Sequence, residues 1–197
     1  MEGMEKVLKH PRFKEEIQQI IGVLYDSLET VELQPNFDFP CPLQVHSRYS
    51  TAQVLAGFDY NNEEQSPAFR EGVKYFKDKK LDIFFITLNK SEKDFSPSTL
   101  YEDYAINEKL FHWETQSKVG EESRTGQRYI HHRQTGNKIA LFVREYKKEK
   151  GSIPSPFIFL GTANYIKHSG NKPMSFVWEL EEEMPSYLVP RANKNIL

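Results

Sequence analysis

The C-terminal half of this chain reads as one strand after another. Segments 110–116, 127–133, 138–147, 157–167 and 174–180 are rich in β-branched and aromatic residues and separated by polar or glycine-containing breaks. In the last of them Phe176, Trp178 and Leu180 alternate with Ser175, Val177 and Glu179. Upstream, 81–88 is an almost unbroken apolar run, which predicts a buried strand. Thr135-Gly136-Asn137 predicts a hairpin turn between the second and third segments. Mid-length strands in succession, with few helices among them, imply an α+β fold built on a curved antiparallel sheet or small β-barrel. An aromatic share of 13% agrees with that bias.

The first forty residues differ. Pro11 suits a first helical turn, and Phe13, Ile17, Ile20, Ile21, Leu24 and Leu28 recur at helical spacing. This predicts an amphipathic helix whose apolar face docks on the rest of the chain or on a partner. Pro35, Pro40 and Pro42 mark an irregular linker. The expected division is a helix and linker over 1–42 and a β-rich recognition domain over 43–197. Within the second part, 43–48 reads as a short strand. Ser50-Thr51-Ala52-Gln53 is a capping box opening a short helix that stops near Gly57. Residues 90–97 read as a polar loop and 100–107 as a short helix.

With 38% apolar and 27% charged residues, the 197-residue chain has the composition of a globular protein. It contains no run of eighteen apolar residues and no apolar signal segment at the N-terminus, which predicts neither a membrane span nor a secretory leader. The single cysteine, Cys41, forms no internal disulfide and suits a cytoplasmic setting. A net charge of −2 conceals a basic segment: residues 123–150 hold eight Lys/Arg against two Glu, and Glu179 with Glu181-Glu182-Glu183 reverses the sign. A polyanion is a natural partner for the first region, although a solvated charged face gives the same count.

The stretch Leu110-Phe111-His112-Trp113-Glu114-Thr115-Gln116 carries the densest hydrogen-bonding chemistry. In an extended strand Phe111, Trp113 and Thr115 share one face, and His112, Glu114 and Gln116 the other. Nucleic-acid recognition needs cations for phosphates, aromatic faces for bases and polar groups for base edges. Arg48, Arg124, Arg128, Arg133 and Arg144 fit the first role. Tyr49, Trp113 and Tyr129 fit the second, and His112, Gln116, Ser47 and Asn89 the third. A core position for Trp113 and a helix-holding role for Arg48 compete with these readings. Glu145-Tyr146-Lys147, with Asp82 or Asp103 upstream, has the residue types of an Mg²⁺-dependent nuclease. Adjacent His131 and His132 point to opposite faces of a strand, so no zinc site is expected, and no cofactor is implied.

Several stretches together resemble a known family. They are Leu43-Gln44-Val45-His46-Ser47-Arg48-Tyr49-Ser50, Phe84-Phe85-Ile86-Thr87-Leu88-Asn89-Lys90, Tyr101-Glu102-Asp103-Tyr104-Ala105, Leu110-Phe111-His112-Trp113, Thr125-Gly126-Gln127-Arg128-Tyr129-Ile130 and Leu141-Phe142-Val143-Arg144-Glu145, followed by Phe159-Leu160-Gly161, 165–170 and Pro173-Met174. In this order they resemble the domain of unknown function at the C-terminus of bacterial superfamily 2 helicases, often found after a phospholipase-D-like nuclease module. The match runs over roughly 43–185. The resemblance implies a helicase- or nuclease-associated role of phage-defence or repair type, with a helicase or nuclease as protein partner. No Gly-x-x-x-x-Gly-Lys-Ser/Thr loop occurs, so the helicase core itself is absent. The expectation is a non-catalytic DNA-recognition domain, with a flipped or modified base among the ligands it could read. A nuclease using Glu145 and Lys147, or a protein-interaction module docking through the N-terminal helix and the acidic patch, are the alternatives.

Overall fold

The structure is a computed structural model and describes residues 9–26, 33–60, 69, 71–89, 103–148, 154–186 and 188–189. The chain divides into two units, at 1–31 and 32–197. Within the first, α1 (Pro11–Asp26) begins at the expected proline and carries Phe13, Ile20, Ile21 and Val23 exposed. Among the described residues no helix is long and apolar enough to cross a membrane.

The second unit is α+β. Its strands are β1 (Arg48–Tyr49), β2 (Val73–Phe76), β3 (Leu81–Thr87), β4 (Tyr104–Ala105), β5 (Leu110–Glu114), β6 (Lys138–Arg144), β7 (Phe157–Ser169) and β8 (Ser175–Leu180). Its helices are α2 (Thr51–Gly57), α3 (Arg124–Ile130) and α4 (His132–Thr135). The strands form one sheet in the order β2-β3-β6-β7-β8-β5-β4, with β1 added to the start of β7. The sheet curves without closing into a barrel. All pairs are antiparallel except β3 with β6, which run parallel in the register Leu81↔Lys138.

Both faces of the central strands are buried, which explains the nearly continuous apolar runs. Phe84 and Ile86 of β3, Leu141 of β6, Phe176 and Trp178 of β8 and Phe111 and Trp113 of β5 point to the concave side. Ile83, Phe142 and Phe159 point to the convex side, where α2 covers them with Val54, Leu55 and Phe58. The capping box that starts α2 is present in both directions, Ser50 on the Gln53 N–H and Gln53 on the Ser50 N–H. Phe37 and Phe39, in the proline-marked segment, stack at 4.9 Å beside Phe58. Curvature arises along β7, whose pairing shifts against both β6 and β8 bend it around the concave core.

Three expectations are corrected. Segment 127–133 is helical: α3 and α4 replace the expected strand, because Ser123 caps α3 and Tyr129 anchors it in the concave core. This tertiary packing overrides the β-propensity of the local sequence. Consequently Gly136, at φ 67°, ends a helix before β6 rather than joining two strands. In place of a helix over 100–107, the described part holds β4. There Asn107 Oδ1 accepts the N–H groups of Lys109 and Leu110 and turns the chain into β5. Residues 90–102, including the expected polar loop, lie outside the described residues.

Candidate functional site

Asp82 is the second residue of β3, and strand alternation puts it on the concave face with Phe84 and Ile86. A carboxylate at 1% exposure in such a face requires partners. Arg128 of α3 supplies two, donating from Nε at 2.7 Å and from Nη2 at 2.8 Å, and the Asn137 amide donates a third bond at 2.9 Å. Burial still pushes the Asp82 carboxyl above its usual range, against the opposing pull of Arg128 and Asn137. The guanidinium also lies over the ring of Tyr75, 3.9 Å from its centroid. Tyr75 faces Asp82 across the β2–β3 pair. The ion pair therefore clamps α3 to the edge hairpin.

The other attachments of this helical segment are equally local. Ser123 accepts the Gly126 N–H at 3.0 Å and donates to the Gly120 carbonyl at 2.6 Å. A side chain at Gly126 would collide with that same carbonyl, so the close turn requires glycine there. Buried His132 accepts the Tyr165 N–H at Nε2, 3.0 Å away, which leaves Nδ1 as the donor to the Asn137 carbonyl, also at 3.0 Å. Desolvation lowers the His132 pKa, in keeping with this neutral tautomer. Tyr129, edge-on to Phe84, Trp113 and Phe176, is buried, and burial together with the Asp82 charge raises its pKa.

Between α3 and the sheet edge lies a cleft of about 180 Å³. Glu71, Val73 and Tyr75 form one wall, Thr125, Arg128 and Tyr129 the other, and Asp82 and Trp113 the base. Thr115, Gln116 and Val119 complete the lining. β2 and β5 stand far apart in the strand order, yet curvature brings Phe84 of β3 onto Trp113 of β5 with ring centroids 4.0 Å apart. The cleft is the gap that an unclosed barrel leaves.

Of the residues singled out from sequence, Trp113, Gln116, Arg128 and Tyr129 meet here. Arg124 is exposed one helical turn before Arg128 and shares its side of α3. Gln116 does not share a face with His112. Strand β5 ends at Glu114, and Thr115, buried and bonded to the Met174 N–H at 2.9 Å, opens a turn that directs Gln116 to the Trp113 side. His112 lies on the opposite face, stacked on Tyr104 at 4.6 Å. Arg48 and Tyr49 sit on β1, where the Tyr49 hydroxyl accepts the Gln44 N–H. Arg144 lies over Phe157 and bonds Thr87. It is five residues beyond the partner of Asp82 on β6, about 17 Å along the strand. The same register separates Asp82 from Glu145 by six residues, so these two do not share a metal. Among the described residues no group of three acidic, His or Cys side chains is placed to hold one.

Sequence reasoning missed Glu71, Tyr75, Asn137 and the buried role of His132. Val73-Lys74-Tyr75-Phe76, followed by a charged turn and then β3, carried a hairpin signal. Asp82 inside an apolar run was the other clue, since an isolated buried carboxylate demands a cation.

A model of the family described as a domain of unknown function, DUF3427, matches residues 43–191. The chain belongs to this family. The DUF3427 match includes every residue that lines the cleft, from Glu71 to Tyr129. No curated protein matches the chain.

Proposed function

We propose that this DUF3427 chain is a DNA-recognition domain that takes a single base into the cleft between α3 and the β2 edge, in the service of a helicase or nuclease. The observation carrying this reading is the composition of the cleft. Tyr75 and Tyr129 provide aromatic walls above Trp113, Arg128 a fixed guanidinium, and Gln116, Thr125 and Glu71 hydrogen-bonding groups. Its volume is below the roughly 300–1,000 Å³ typical of drug-sized ligands and suits one heterocycle. Exposed Arg124, and Arg133 near the end of the same helical segment, add cations for a phosphate backbone.

A second reading rests on α1, whose exposed Phe13, Ile20, Ile21 and Val23 are the chemistry of a protein-docking helix. Anisotropy titration of labelled single-stranded and duplex DNA over a salt series separates the two. The DNA reading expects affinity that falls with salt, a slope lowered by about one in Arg124→Ala, and weaker binding in Gln116→Ala. Affinity indifferent to salt and to both substitutions would leave the docking reading.

A further inference from the structure

We propose that the cleft selects guanine over the other bases, an inference that rests on the reading of the cleft as a base pocket. Two features of its chemistry point there. The first is the way Arg128 is held. Asp82 engages Nε and Nη2, the side of the guanidinium, so Nη1 takes part in neither bond. The group is fixed from below by the carboxylate and from one face by Tyr75. Arg128 also hydrogen-bonds the Tyr129 side chain, and the N–H donors left over suit an acceptor edge such as O6 and N7 of guanine.

The second feature is at the other end. Glu71 precedes Tyr75 by four residues along the extended edge, which Gly72 continues by accepting the Phe85 N–H. That spacing is roughly 13 Å between backbone positions. Arg128 over Tyr75 and the exposed Glu71 carboxylate thus line the cleft at separate positions along its β2 wall, with Gln116 in the same lining. Guanine carries its two acceptors on one edge and the N1–H and N2–H₂ donors on the next. A second group displaced from the guanidinium, such as the Glu71 carboxylate, can accept from that neighbouring edge, a donor pair that adenine and thymine do not present. The charge of the lining, two carboxylates against one guanidinium, is −1, which disfavours a phosphate in the cleft and favours a neutral ring.

The test measures binding of the full chain to labelled oligothymidines carrying one central guanine, adenine, cytosine, 7-deazaguanine or hypoxanthine. Guanosine alone is a separate arm. Guanine is expected to bind on the order of tenfold more tightly than adenine or thymine. 7-Deazaguanine, lacking the N7 acceptor, and hypoxanthine, lacking the N2 donor, should each lose part of that preference. Glu71→Gln should narrow the ratio of guanine-strand to all-thymine-strand affinity, and an unchanged ratio overturns the role given to Glu71. Equal affinity for every central base overturns the guanine inference and leaves the DNA-binding reading standing, as does a preference for cytosine. Binding of guanosine with no retention of any oligonucleotide supports the base assignment and overturns the DNA reading. No binding in either arm overturns both.

Discussion

Arg128→Ala should destabilise the domain by an amount that depends on pH. The substitution removes two charge-assisted bonds from a carboxylate with 1% exposure and leaves only the Asn137 amide beside it. Breaking a buried pair from one side costs about 3–5 kcal/mol when the remaining charge stays ionised. Asp82 has an escape, because it can take up a proton. Its folded pKa lies above its usual range already, with burial the main cause, and losing Arg128 raises it further. Such a group contributes its full stability below the unfolded value of about 4 and loses it as pH rises through the folded value, at up to ~1.4 kcal/mol per pH unit. The loss caused by Arg128→Ala is therefore largest near pH 8 and shrinks towards pH 5. Urea denaturation followed by tryptophan fluorescence reads this directly, since Trp113 and Trp178 are the only two tryptophans and both lie in the concave core. Asp82→Asn combined with Arg128→Ala removes the titrating group, and its loss should not grow from pH 5 to pH 8. A loss in Arg128→Ala that is under about 1 kcal/mol, or equal at both pH values, would refute the clamp.

His132 gives the opposite dependence. Its folded pKa is depressed by burial, so its contribution is complete above about 6.5 and is lost as pH falls through the lower folded value. Wild type should therefore lose stability below pH 6.5 more steeply than His132→Asn, as measured by thermal melts in a pH series. On β5, Trp113→Ala should cost roughly 3–5 kcal/mol, because the ring is 5% exposed and stacked on Phe84. His112→Ala removes one stacking contact with Tyr104 and should cost about 1 kcal/mol. Equal losses in chemical denaturation would mean that the two faces of the strand are not distinct.

Long strands with a clear period were legible without coordinates. β3, β6, β7 and β8 were visible because Phe, Ile, Val and Trp either alternate or run together there. α2 was visible because the Ser50–Gln53 box satisfies orphan N–H groups by a purely local rule. α3 was hidden for the converse reason: its seven residues are held by Asp82, Gly120 and the aromatic core, none of which is a neighbour along the helix itself. The site was legible only in part. Trp113, Gln116, Arg128 and Tyr129 were recognisable as residue types, but their meeting depends on curvature that no local pattern encodes. Gln116 also escapes the strand period, since β5 stops two residues before it.

The parallel pairing of β3 with β6 bears on how the domain forms. β3 meets its edge partner β2 through a short turn, but its inner partner begins 57 residues later, at Lys138 against Leu81. Closing a loop of that length must precede the contacts that reward it, which slows folding. Until β6 arrives, the inner edge of β3 is unpaired as well as the outer edge of β2, and Asp82 lacks Asn137, which stands immediately before β6. Neither half of the chain holds enough of the sheet to build the cleft alone. A chain released or cut between β5 and β6 would present two sticky strand edges and an unpaired apolar face, the conditions under which a β-protein pairs with a second copy instead of with itself.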